Sequence, residues 1–240
     1  MTTPLDSPPQ GALEVPEITQ ALARNDRYVK EFVEAFNLCP YAKRCRETGK
    51  LHRTVLIGPG GLPGTAEHET LLTRAADTIA RIEGEPPESI EVALIVFPAL
   101  VPELSQGEQS ARAFEQFVTR VRERMQARHG GGDTPFYCVP FHPDFPEDLT
   151  DEHRAVRFIR RSPDPTIQLV RGSVLRAVRG VDPGNSRFVD VSKMTAAELM
   201  AITVPLSVSD RIAKANLAEL HAQGAERLRE FLAGMRGGRE

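Results

Sequence analysis

Between Ser89 and Pro102 the chain reads SIEVALIVFPALVP, and its centre, Ile90 to Phe97, is a near-continuous apolar run closed by Pro98. A strand with no alternation of apolar and polar positions has to be buried on both faces, which calls for a helical layer on each side of its sheet. The segment is also too short, and too interrupted by Pro98 and Pro102, to supply the roughly 20 apolar residues that cross a bilayer. It reads as a core strand.

The flanking sequence supplies the partners. Ile18, Leu22, Val29, Phe32, Val33 and Phe36 fall at helical spacing and predict a helix from Glu17 to Phe36, stopped at Asn37 to Pro40 because proline cannot continue the ladder. A β-like run at Arg53 to Ile57 leads through a Gly/Pro loop, Gly58 to Gly64, into a helix carrying Leu71, Leu72, Ala75, Ile79 and Ile82. After the apolar strand comes a helix with Phe114, Phe117, Val118, Val121 and Met125, ended by Gly130 to Gly132, and a third strand at Phe136 to Phe141. Residues 166–170 predict a further strand, and 173–179, 195–202 and 209–233 predict helices.

Strands alternating with long amphipathic helices predict one α/β domain over residues 16–233, with a small, mainly parallel sheet, right-handed crossovers and C-terminal helices; a ferredoxin-like α+β arrangement is the alternative. Residues 1–15 are polar and Pro-rich and read as a disordered leader without signal-peptide character. Residues 181–205 read as an inserted connection and 234–240 as a flexible tail. In such a sheet the loops Gly58–Gly64, Pro98–Pro102 and Phe141–Pro146 converge on one edge, where ligands of α/β proteins bind.

A net charge of -3 on 240 residues gives no global field toward nucleic acid or an anionic membrane, so neither is an expected partner. Three cysteines without CxxC spacing fit neither a disulfide framework nor a zinc ribbon, and point to a reducing cytoplasm. The oligomeric state is not encoded legibly.

Several side chains are candidates for chemistry. Cys39, at the helix exit, is either a thiolate nucleophile or a small buried hydrophobe. His142 follows the third strand between Phe141 and Pro143, as an acid/base group or as a histidine bonded to backbone. Arg157, Arg160, Arg161 and Arg171, with the Ser162 and Thr166 hydroxyls, suit a carboxylate or phosphate, since guanidinium forks bind both bidentately. Pairing with the acidic run that follows His142 is the alternative for these arginines.

That run, Asp144, Glu147, Asp148, Asp151, Glu152 and His153, offers either divalent-metal ligands or a solvated loop entering the first turn of a helix. Cys39-Pro40 opposite His142 would also suit haem. No cofactor is specified. The Gly58–Gly64 loop lacks the Lys-Ser/Thr ending of a phosphate loop, and Arg120, Arg122, Arg124 and Arg128 read as a solvated helix face.

Three segments, Asn37-Leu38-Cys39-Pro40-Tyr41-Ala42-Lys43, Phe141-His142-Pro143 and Arg161-Ser162-Pro163-Asp164-Pro165-Thr166, together resemble the bacterial domain-of-unknown-function family 1415. The similarity covers most of residues 25–222 and implies a cytosolic α/β protein, with no activity, cofactor or partner to carry over. The chain departs from the family pattern at Arg157 and Arg160, where asparagines are usual, and at Gln168, where a histidine is. The expectation from residues and resemblance together is a small-molecule enzyme for an anionic substrate, with Arg160 and Arg161 holding the anion, His142 moving protons and Cys39 as nucleophile. A non-catalytic ligand-, metal- or haem-binding protein and a structural protein are the rivals.

Overall fold

The computed structural model describes residues 14–39, 41–58, 64–98, 100, 104, 106–179 and 208–236. The expected inserted connection at 181–205, the helix at 195–202 and the first 13 residues of the leader lie outside these. α1 (Glu14–Arg27) begins inside the expected leader and runs into a π-helical stretch (Tyr28–Glu34). Bonds from Ala35 N–H to the Lys30 carbonyl, 3.1 Å, and from Leu38 N–H to the Val33 carbonyl, 2.9 Å, extend its i→i+5 pattern. Asn37 ends it in the left-handed region at φ 49°, which the short polar side chain of asparagine tolerates. A six-residue helix, α2 (Ala42–Glu47), follows.

Next come β1 (Leu51–Val55), α3 (Ala66–Glu83), β2 (Val92–Val96), α4 (Glu108–Arg128), β3 (Phe136–Phe141), α5 (Glu152–Ile159), β4 (Thr166–Arg171), α6 (Gly172–Arg179), α7 (Val208–Gln223) and α8 (Ala225–Arg236). The single helix expected over 209–233 is broken by Gly224, whose φ of 81° no L side chain adopts cheaply. α8 continues to Arg236, into the expected tail.

The strands form one sheet in the order β1-β2-β4-β3. β1 pairs with β2 in parallel, and β4 pairs antiparallel with both β2 and β3. β1, β2 and β3 therefore run one way and β4 is inserted against them. The result is a single α/β domain whose sheet is mixed, not the largely parallel sheet expected, because β4 returns into the gap between β2 and β3 after the β2-α4-β3 crossover.

Alternate residues of the sheet feed two cores. Ala93, Ile95, Phe136, Cys138, Ile167 and Leu169 pack with α3 and α4. Leu94, with Val92 and Phe141 beside it, packs with Tyr28, Val29 and Phe32 of the π-helix, Phe158 of α5, Leu220 of α7 and Leu228 and Leu232 of α8. β2 is thus covered on both sides, as its unbroken apolar run requires. Among the described residues no helix is long and apolar enough to cross a membrane.

Candidate functional site: an arginine-lined cavity on one sheet face

α5 is set by its cap: the Asp151 carboxylate accepts from His153 N–H, 2.9 Å, and Arg154 N–H, 3.2 Å. At its other end Arg160 leaves the helix, and its carbonyl accepts from His142 N–H and Ser162 N–H, both 3.0 Å. The hydroxyl of buried Tyr28 donates to the neighbouring Ile159 carbonyl, tying the π-helix to this corner. Consecutive arginines diverge here. Arg160 enters a cavity of about 680 Å³, while Arg161 lines a separate cleft of about 350 Å³ with Asp144, Arg229 and Arg236.

The larger cavity falls in the size range of small-molecule sites. Among the described residues its charged lining is Arg122, Arg160 and Arg176 against Asp133, three positive groups to one negative, in a chain whose overall charge is -3. Cys39, Tyr41 and Gln168 also line it. Arg122 is used structurally, donating to the Cys138 carbonyl at 3.1 and 2.6 Å along the free edge of β3. Arg160 makes no ion pair or side-chain hydrogen bond with any described residue. Burial, with Arg122 and Arg157 adding to it, holds the Arg160 pKa below its ordinary value, which expresses the cost of an uncompensated guanidinium. The Gln168 amide, at the centre of β4, likewise meets no described side-chain partner.

Cys39 stands where this cavity meets a smaller one of about 150 Å³, which Gln168, Tyr41 and Val92 also line. Burial raises the Cys39 thiol pKa, although hydrogen bonds from the Tyr41 and Ala42 backbone pull it down. Cys45 and Cys138 are buried, with thiols pushed up to about 11 and about 12. Alkylation by iodoacetamide is accordingly expected to strike Cys39 first, slowly at pH 7 and faster as pH rises past 9, because only the thiolate reacts. Peptide mapping of the modified chain checks this; a fast reaction at pH 7 would contradict it.

His142 does not share the cavity. Its ring lies among Phe114 of α4, 5.9 Å away, and Phe145, 6.0 Å away, fully buried. Nδ1 accepts from Asp144 N–H at 3.1 Å, so the proton sits on Nε2, 3.1 Å from the Leu104 carbonyl and 3.4 Å from Ser110 Oγ. The arrangement satisfies a neutral imidazole from backbone, and burial lowers its pKa to about 4. An unfolded histidine binds its proton near 6.5, so this group's stability is complete above pH 6.5 and is lost as pH falls toward 4, by up to about 3 kcal/mol. Urea titrations across that window are expected to show the slope in the native chain and a reduced slope in His142→Gln; an unchanged slope would assign the loss elsewhere.

The remaining expected ligands divide between turn and sheet. Ser162 and Thr166 hydroxyls both donate to the Asp164 carbonyl, at 2.6 and 2.9 Å, bracing the turn between Pro163 and Pro165. Arg171 donates to the Ile90 carbonyl at 2.7 Å and lies 4.4 Å above the Phe136 ring, and it is not part of the cavity lining. Arg157 pairs with Glu115 at 3.0 Å. The structure thus brings together Cys39 and Arg160 and places His142, Arg161 and Arg171 elsewhere.

The acidic run is likewise engaged. Asp144 meets Arg236 at 2.7 Å, Glu147 meets Arg229 at 2.9 Å and Arg161 at 3.5 Å, Asp148 meets Arg154 at 2.9 Å, and Asp151 caps α5. Among the described residues no group of three His, Cys, Asp or Glu side chains is arranged around a common metal position. On α4, Arg120 and Arg124 converge on Glu69 of α3, and Arg128 on Asp77, so the face expected to be solvated fastens two helices. The cavity wraps the free edge of β3 near its start, taking residues from α4 on one side and from β4 and β2 on the other, and does not lie at the edge where the three loops were expected to converge.

Gln168 and the partnerless Arg160 were not paired by sequence reasoning. No local pattern joins them, since Arg160 leaves α5 and Gln168 sits in the middle of β4.

A small mixed sheet between helical layers, with a cavity lined by Arg122, Arg160 and Arg176 beside it, defines the class as a single-domain α/β protein. The family model described as Protein of unknown function (DUF1415) matches residues 20–199, and the chain belongs to that family. No curated protein and no solved structure matches it.

Proposed function

We propose that the protein binds an anionic small molecule, a carboxylate or a phosphate, in the cavity on the β4 face, with Arg160 as the anchoring cation and Gln168 as a hydrogen-bonding neighbour. The observation that carries this reading is Arg160 itself: a half-buried guanidinium with no ion pair among the described residues, in a cavity with three arginines and one aspartate. A half-buried cation without a counter-ion among the described residues carries a desolvation cost, and an anionic ligand would offset it while gaining a charge-assisted bidentate contact.

Catalysis by His142 on a molecule held at Arg160 finds no support in the geometry, since the ring faces Phe114 and the Leu104 carbonyl. Of the two thiols in the lining, Cys138 is buried and pushed up to about 12, which leaves Cys39 as the candidate nucleophile, with a pKa raised by burial. Three free thiols support a reducing, cytoplasmic setting for this binding.

Calorimetric titration of the purified chain with phosphate and with short carboxylates, at low and high salt, tests the reading. Binding that weakens with salt and disappears in Arg160→Met is expected; a native chain that takes up none of these anions at millimolar concentration would contradict it.

A further inference from the structure

We propose that the anion held at Arg160 carries an apolar group of about the bulk of a benzene ring, seated in the 150 Å³ chamber behind Cys39 and Gln168. The inference rests on the anion-binding reading and extends it to a ligand class: an amphiphilic acid with its charged end in the larger cavity.

No charged residue lines the chamber, in contrast to the cavity beside it. Its walls are Val29 and Val33 of the π-helix, Leu51, Leu94, Phe141 and Ile159. The polar side chains that border it are already partnered. Ser162 and Thr166 donate to the Asp164 carbonyl, Tyr28 to the Ile159 carbonyl, and Asn25 Oδ1 accepts from Arg53 Nε at 3.0 Å. With those groups turned to the protein, the chamber presents mainly hydrocarbon, and the open polar side chains Gln168 and Tyr41 stand at its mouth, where it meets the larger cavity.

That mouth is shared. Cys39, Tyr41, Val92 and Gln168 line both spaces, so the two adjoin at these four side chains, and the proposed ligand would pass between them from Arg160 past Gln168 into the chamber. An apolar cavity of about 150 Å³ stays dry and accepts benzene, which sets the size of the buried group at about six carbons. The π-helical stretch builds one side of the chamber by widening the turn that carries Val29 and Val33, a feature frequent at functional sites.

The test is calorimetric titration of the full chain with straight-chain carboxylates of two to twelve carbons and with alkyl phosphates of matching length. Affinity is expected to climb about fourfold per methylene until about six carbons are buried and then to level. In Val33→Phe, which fills the chamber, the climb is expected to vanish while short-anion binding persists; in Val33→Ala the levelling point is expected to move to longer chains. A constant preference for one head group over the other along both series identifies the charged end.

Short anions that bind through Arg160 with no gain from chain length would overturn this inference and leave the anion-binding reading standing. A gain that is the same in both Val33 variants and the native chain would place the tail elsewhere, and overturns it as well. If neither short nor long acids bind, both readings fall together.

Discussion

Replacing Arg24 with alanine is expected to lower the unfolding free energy by about 3–5 kcal/mol, the range found when one partner is removed from a buried ion pair. Arg24 reaches from α1 to the turn before β4 and grips both oxygens of Asp164, Nε to Oδ2 and a terminal nitrogen to Oδ1, each at 2.9 Å. The two side chains are only 13% and 2% exposed. The turn they lock is fixed to the sheet by the Phe97 N–H bond to the Pro165 carbonyl, 2.9 Å, and to itself by Ser162 and Thr166. Alanine at 24 would take both of these bonds from a carboxylate that water reaches poorly. For a domain of this size the loss corresponds to a fall of about 6–20 °C in Tm. Arg24→Lys keeps the charge without the fork and is expected to lose less. Thermal and urea unfolding measure both, and a change within 1 kcal/mol for Arg24→Ala would contradict the assignment.

Arg160→Met is expected to act in the opposite sense on stability and strongly on binding. The guanidinium offers the cavity a charge-assisted hydrogen bond, worth about 1.5–3 kcal/mol, so anion affinity should fall about 10- to 150-fold. Removing a half-buried cation with no counter-ion among the described residues relieves a desolvation cost, and the folded state is expected to hold its stability or gain slightly. Arg161→Met is the matched comparison. Arg161 donates to the Phe145 carbonyl at 2.7 Å, lies 5.1 Å over the Phe158 ring and faces Glu147, so its loss should lower stability and leave anion affinity unchanged. A variant pair in which these effects are exchanged would show that the anion lies in the smaller cleft.

Much of the layering was legible because single-element signals are local. The unbroken apolar run at Ile90–Phe97 announced a strand covered on both faces, and Phe136–Phe141 was bounded correctly by turn residues on either side. The order and direction of the strands were not legible: β4 enters between β2 and β3, and nothing in the residues of β4 distinguishes a parallel neighbour from an antiparallel one. α2 escaped notice because six residues between Pro40 and Gly49 are too few to show a period. The break at Gly224 was visible in the sequence and was outweighed by the apolar spacing on either side of it.

The site was legible in part for a related reason. Sequence placed Arg160 and Arg161 together, since they are adjacent, but the residue that leaves a helix and the residue after it point to different spaces, one toward β4 and one toward α8. Arg24 and Asp164 are 140 positions apart, and no local pattern could join them. His142 was singled out for its place at a strand end; the structure surrounds it with Phe114, Phe145, the backbone of Leu104 and Asp144 and the Ser110 hydroxyl of α4. Cys39 was found because the helix exit that holds it is written in Asn37 and Pro40.

The anion anchor at Arg160 is tested most directly by comparing a carboxylic acid with its own primary amide, hexanoate against hexanamide, in the native chain and in Arg160→Met. The two ligands match in shape and differ in charge. The native chain is expected to prefer the acid by tenfold or more and Arg160→Met to bind the two alike; an equal preference for the acid in both chains would contradict the assignment of Arg160 as the group that holds the anion.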